Sequence, residues 1–308
     1  MEYIIDENEE HKRLDKFVSE MFADISRETV QDAIKKGLVL VNDKAKKPSY
    51  FLKEKDKVAF DKSVFEVKPL EAEDIKLDIV YEDENMLVVN KPSGMLTHPA
   101  GKENSGTLVN ALLNYCPETL SDIGGEFRRG IVHRLDRNTS GLLMVAKNNK
   151  THEFLQKQIK EKTAIRKYYA VVKGVIDEDN GVINKPIGRC LKNPQRMDIV
   201  EGGRDSLTYY KVLERFKENT FVELELKTGR THQIRVHMAS IGHPVLNDTL
   251  YGAGTSKIHT QEQVLMAYSL TFTKPFSNEI INVQIDKDEK LEKVLRYLRS
   301  RNWKFYLK

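Results

Sequence analysis

Apolar side chains recur near the start of the chain as Leu14, Phe17, Val18, Met21 and Phe22. That i, i+3, i+4, i+7, i+8 spacing draws one stripe along a helix. Ser26 is placed to cap a second helix carrying Val30, Ala33 and Ile34, and Gly37 is placed to stop it. The period then shortens. LVLV (residues 38–41) reads as a strand and Asn42 and Asp43 as a turn; beyond a lysine-rich loop broken by Pro48, a last strand is expected at 58–60. Two helices and a small hairpin within residues 1–62 make a compact α/β module. Residues 63–78, SVFEVKPLEAEDIKLD, lose the periodicity and gather acids around a proline, the pattern of a linker.

A second domain is expected over residues 79–308. IVYED and MLVVN read as short strands flanking Glu84 and Asn85, followed by a KPSGMLTHP loop and a helix marked by Leu108, Leu112 and Leu113. Strand patterns return at YYAVVKGV (168–175), SLTYYKVLERF (206–216) and FVELELKT (221–228), with no βαβ rhythm, repeat or low-complexity run. The reading is an α+β fold: a mixed, largely antiparallel sheet domain behind a small N-terminal α/β domain.

With 308 residues, 40% hydrophobic and 31% charged, the chain suits one large domain with a small companion. No apolar run reaches the roughly 18 residues of a membrane span. The acidic start, MEYIIDENEEHK, lacks the order of a signal peptide, so a cytoplasmic location away from membranes is expected. Cys116 and Cys190 stand outside any CxxC spacing and are expected as buried thiols. The net charge of +4 is too mild to name a partner, but residues 35–57 hold eight lysines, among them Lys35, Lys36, Lys46 and Lys47, against three acids. A charge run alone is commonly a solvated face.

Two polar islands carry the candidate chemistry. HRLDRNTSG (133–141) sets Asp136 between Arg134 and Arg137, with the apolar runs GIV and LLMVA on either side; the other is TGRTHQIRVHMASIGHPVLNDTLYG (228–252). His133 stands alone, and His232 and His237 share neither a helix face nor one side of a strand, so no metal site is expected. No G-x-S-x-G surrounds Ser140, no P-loop is present, and only Asp248 would offer a glycosidase its second carboxylate. Burial raises a carboxylate pKa by up to about 3–5 units and an adjacent arginine lowers it by about 1–3, so arginines can keep a desolvated Asp136 anionic. Two readings stay level: a nucleophile, or a buried salt bridge pinning two strands. In the second island Thr231 is expected to cap a short helix with Ile234, Met238 and Ile241 on its apolar side and Gly242 at its end. Arg235 then leaves on another side, as an ordinary surface arginine or as one reaching a carboxylate across a cleft.

The stretches RLDKFV, SRETVQDAIKKGLVLVND and KEKDKV resemble the small S-four-like RNA-binding domain, with Asp43 and Lys55 where that family usually has glycine. YEDENMLVVNKPSGMLTHP, GIVHRLDRNTSGLLMVAKN, RKYYAVVKG and LKTGRTHQIRVHMASIGHPVLNDTLYG resemble, in order, the pseudouridine synthases of large-subunit ribosomal RNA that carry such a domain. Asn247 replaces a common glycine and Met266 a common histidine. The resemblance implies the pseudouridine synthase fold, no cofactor or metal, and RNA as partner, namely 23S ribosomal RNA or a large-subunit precursor; a monomer is the default expectation, since the sequence is silent on oligomeric state. It implies Asp136 as nucleophile, Tyr168 stacked on the target base, and Arg235 paired with the aspartate. Arg134 would enter the RNA where the base has left, and Lys35, Lys36, Lys46 and Lys47 would contact phosphates. The reaction would break the carbon–nitrogen bond between uracil and ribose and rejoin the base through ring carbon 5. Whether Asp136 attacks the ring or first promotes loss of the base from ribose stays open, and Arg137 receives no role. A transfer RNA target, or a non-catalytic assembly factor, is the alternative.

Overall fold

In the computed structural model the first helix, Leu14–Glu20, buries Leu14, Phe17 and Val18 in one core with Val30, Ala33 and Ile34 of the second, Arg27–Lys35. All residues are described except 23, 24, 26, 66–68, 102, 253, 255–261 and 303–308, so the expected cap Ser26 lies outside the described residues. The helices share that core with a four-stranded antiparallel sheet, ordered Glu2–Ile4, Lys57–Phe60, Val39–Val41, Lys44–Ala45. The two outer strands have no counterpart in the sequence reading, because three and two residues are too few to display alternation. Asn42 and Asp43 turn the hairpin with φ of +51° and +60°, and Lys55 has φ of +69°. Both positions that depart from glycine therefore keep a left-handed backbone, at a cost of roughly 1 kcal/mol each.

Two carboxylates lock this unit. Asp15 is fully buried and accepts hydrogen bonds from Arg13, Arg27 and Gln31. Burial pushes its pKa up, but those donors outweigh burial and hold the carboxyl well below the ordinary range. Asp56 accepts from Asn42 Nδ2 at 2.7 Å, the Tyr50 hydroxyl at 3.0 Å and Lys53 N at 3.0 Å, and is depressed against burial in the same way. A depressed folded pKa adds stability above the unfolded value of about 3.9, and that stability is lost as pH falls through the folded pKa. Hydrogen-exchange protection of the two helices should therefore hold above about pH 4 and fall below it. In Asp15→Asn protection should be lower throughout and its acid dependence weaker; an unchanged acid profile would contradict the assignment.

The chain divides into two compact units, Met1–Pro69 and Leu70–Lys308. The stretch read as a linker is structured at both ends. Lys62–Phe65 forms a short 3-10 helix whose Phe65 ring packs 5.3 Å from Phe60, and Leu70 joins the core of the second unit. Glu71 O accepts from Asn110 Nδ2 at 2.8 Å and Glu73 N donates to Asn110 O at 3.0 Å. Single apolar anchors such as these leave no period to read.

The second unit is built on a nine-stranded sheet. Its path runs Ile79–Glu82, Met86–Lys91, Ser140–Ala146, Leu265–Thr273, Ile165–Lys173, Asn219–Leu226, Leu207–Arg215, Asn180–Asn184, with Ile280–Gln284 paired to the end of Leu265–Thr273. All pairings are antiparallel except that of Ser140–Ala146 with Leu265–Thr273. Both faces are covered at the middle of the sheet. Leu143 and Val145 share one core with helix Leu108–Tyr115 and helix Gln233–Ser240, while Leu142, Met144 and Ala146 share another with Leu155 of helix Asn149–Glu161. Two-sided burial explains why LLMVA reads as a continuous apolar run. Helix Glu289–Asn302 packs Leu291, Val294, Leu295 and Leu298 with Val171 and Met266. Gly141 permits the parallel contact: its φ is +113°, and a Cβ there would lie 2.0 Å from Ala267 O.

Cys116 is buried as expected, whereas Cys190 is only half-buried; both are free thiols. Among the described residues no helix is long and apolar enough to cross a membrane.

Candidate active site

Asp136 lies in the loop that feeds strand Ser140–Ala146, and neighbouring segments pin that loop on both sides of it. Thr97 Oγ1 donates to Leu135 O at 2.8 Å, and buried Leu135 anchors the loop in the core. The Lys91 ammonium, 1% exposed, donates to the carbonyls of Pro92, Met95 and Arg137 at 2.8–3.0 Å. Burial pulls its pKa down to about 7. Gly94 N donates to Arg137 O at 2.9 Å, and Gln263 Nε2 donates to Thr139 Oγ1 at 2.8 Å. The KPSG loop thus serves as a clamp on the Asp136 loop. Arg137 takes part through its backbone; its guanidinium is exposed and pairs with Glu103 at 2.6 Å.

The second island approaches from helix Gln233–Ser240. Thr231 is not its cap: His232 occupies that position with φ of +56° and no capping bond, and Gln233 Oε1 instead accepts from Arg230 N at 3.0 Å and Thr228 Oγ1 at 2.8 Å. Arg235 leaves the first turn and donates from Nη1 to Asp136 Oδ2 at 3.1 Å. Two further donors go to Asp248, from Nε at 2.6 Å and Nη2 at 3.0 Å. The arginine is therefore a bridge between two carboxylates, the second with a side chain 1% exposed. Burial draws the Arg235 pKa down, yet the two carboxylates together push it above its ordinary value. Asn247, beside Asp248, takes φ of +63°, so asparagine carries the left-handed turn there.

Tyr251 completes this side. Its ring lies 5.0 Å from the Arg235 guanidinium, and its oxygen accepts from Met197 N at 2.9 Å. His232 Nδ1 is 2.9 Å from the same oxygen, and Nε2 is 3.8 Å from Asp136 Oδ2. Burial lowers the His232 pKa against the pull of Asp136, so the ring is neutral near pH 7.

Asp136, Arg235, Tyr168 and Arg134 line one cleft of about 880 Å³. Tyr168 is buried on strand Ile165–Lys173, where burial raises its pKa, while Arg134 is exposed. His133 is not poised as a ligand or base: its Nε2 accepts from Met144 N at 3.0 Å, and burial pushes its pKa down to about 3. In the first unit Lys35, Lys36 and Lys47 are exposed; half-buried Lys46 holds its ammonium 5.1 Å from the Tyr50 ring.

Sequence reasoning missed the tasks of Asp248, Tyr251, His232 and Lys91. Asp248 was visible only as the one acid of its island, and its partner lies 13 residues away across a helix end and a turn.

Residues 85–240 match the RNA pseudouridylate synthase family, and residues 12–58 match the S4 domain. An uncharacterized RNA pseudouridine synthase of Bacillus subtilis (strain 168) is 45% identical over 294 residues, covering 96% of both chains. The ribosomal large subunit pseudouridine synthase D of Zymomonas mobilis subsp. mobilis is 38% identical over 301 residues, 94% of this chain and 95% of that protein. Among solved structures, human RNA pseudouridylate synthase domain containing 1 is similar with a TM-score of 0.57 and 28% identity, covering 76% of this chain and 97% of that one. The chain belongs to the RNA pseudouridine synthase family and carries an S4 domain.

Proposed function

We propose that this enzyme isomerises specific uridines of large-subunit (23S) ribosomal RNA, or of its precursor, acting as a cytoplasmic monomer with Asp136 as nucleophile. One observation carries the reading: Asp136 is held by Arg235 at 3.1 Å in the cleft that Tyr168 also lines. A carboxylate fixed by a guanidinium in a cleft is suited to act as a nucleophile. The relatives named ribosomal large subunit pseudouridine synthase D support this choice of RNA.

The uridine must first leave its stack, at a cost of a few kcal/mol. Stacking on Tyr168 returns about 1–3 kcal/mol, and Arg134 fills the gap left in the RNA. The C1′–N1 bond then breaks, the base turns, and C5 bonds to C1′; C5 gives up its proton and N1 gains one. No outside electron or group is consumed.

The S4 domain would hold RNA phosphates through Lys35, Lys36, Lys46 and Lys47. Replacing all four by alanine should weaken binding without changing which uridine is modified. The slope of log K against log salt should fall by up to about 4, roughly one unit for each phosphate no longer neutralised. Filter binding between low and high salt measures it, and an unchanged slope would remove the lysines from the interface.

The substrate reading is tested by incubating the enzyme with total RNA from cells lacking it and mapping the new pseudouridines. They are expected in large-subunit ribosomal RNA; modification confined to transfer RNA would overturn the substrate.

A further inference from the structure

Arg166 precedes Tyr168 by two residues on strand Ile165–Lys173, so the two side chains leave the same sheet face. Both line the cleft with Asp136. Arg166 is 4% exposed, yet its Nε and Nη2 have no hydrogen-bond partner among the described residues. Tyr168 and His133, neither of them a carboxylate, feel its charge. The His133 ring is neutral and already accepts a backbone amide. The backbone makes room for this cation: a Cβ on Gly229, which also lines the cleft, would lie 2.6 Å from Arg166 Nη1. A guanidinium remains charged in proteins, and burying one without a partner is costly. Such an arrangement is suited to a guest that brings an electron-rich oxygen.

The guest is defined by the proposed isomerisation of uridine, on which this step rests. A flipped uridine enters base first, with its phosphates still in the RNA strand. Uracil offers two carbonyl oxygens, and in either chemical route they gain negative charge. Loss of the C1′–N1 bond leaves its electron pair on the ring, and addition of a carboxylate to the ring double bond moves a pair onto the carbonyl system. We propose that Arg166 donates hydrogen bonds to a ring carbonyl oxygen of the flipped uridine and stabilises the charge that oxygen acquires during the reaction. The charge returns to carbon when C5 bonds to C1′, and C5 then loses its proton as N1 gains one.

The test compares the full-length enzyme with Arg166→Met and Arg166→Lys. The substrates are transcripts carrying the uridine found by mapping total RNA from cells lacking the protein. If that uridine lies outside large-subunit RNA, the substrate reading fails while Arg166 is still tested on the site found. Removing the donor should lower kcat by about 100-fold to 1,000-fold, the usual effect of losing one oxyanion donor, with RNA affinity unchanged within about twofold. Lysine should recover part of the loss. Transcripts with 2-thiouridine or 4-thiouridine at the target then separate contact from support of the fold. Sulfur is the weaker acceptor, so one of the two should slow the wild-type enzyme, and that slowing should disappear in Arg166→Met. Should the methionine variant not fold, Arg166→Gln carries the same comparison. Wild-type kcat in the neutral variant, or thio effects equal in both enzymes, would overturn the proposal.

Discussion

Asp136→Asn should lower the rate of pseudouridine formation by at least about 10⁴-fold while leaving the fold and RNA affinity in place. The amide keeps the shape of the side chain but is no nucleophile. The fold should tolerate the change because Arg235 retains two hydrogen bonds to Asp248 at 2.6 and 3.0 Å, so removing Asp136's charge leaves no unpaired buried cation. RNA affinity should stay within about twofold, since phosphate contacts elsewhere supply most of it. Release of tritium from RNA labelled at uridine C5 measures the rate, and the melting temperature checks the fold. More than about 1% residual rate in a folded variant would remove Asp136 from the chemistry, because losing a covalent nucleophile costs orders of magnitude more.

Asp248→Ala should produce the largest loss of stability near the site. Asp248 accepts both the Nε and Nη2 bonds of Arg235, and the pair is buried. Truncation leaves Asp136 as the guanidinium's one carboxylate partner, a change worth roughly 3–5 kcal/mol for a broken buried pair. At about 2–4 °C per kcal/mol for a domain of this size, the melting temperature should drop by about 6–20 °C. Below that transition kcat should still be reduced by about 100-fold, because a freed Arg235 no longer fixes the Asp136 carboxylate, and small misplacements of a reacting group are costly. Asp248→Asn keeps an acceptor and should lose less stability than alanine. A melting temperature and kcat both equal to wild type would show that Arg235 does not need this partner.

Much of the site was legible in the sequence because its parts interrupt strong patterns. HRLDRNTSG breaks a run of residues buried on both sheet faces, so the polar loop stands out against LLMVA. The stripe from Leu14 to Val18 was equally plain, being one face of a helix on a small core. What stayed hidden depends on contacts without a period. The partner of Arg235 is set by a turn at Asn247 and Asp248, and the loop clamp by one lysine reaching three carbonyls. Thr231 carried the usual chemistry of a helix cap, yet a left-handed His232 and a back-reaching Gln233 start that helix. Arg137 looked equal to Arg134 by spacing; its side chain turns out to the surface and pairs with Glu103, while Arg134 lines the cleft.

Uridine isomerisation by Asp136 on large-subunit ribosomal RNA can be read from pseudouridine maps of three strains: wild type, one lacking the protein, and one carrying Asp136→Ala. Specific pseudouridines of the large-subunit RNA should vanish in the second strain and stay absent in the third, although the variant protein is made and folded. Restoration of those pseudouridines by Asp136→Ala, or identical maps in all three strains, would contradict that assignment.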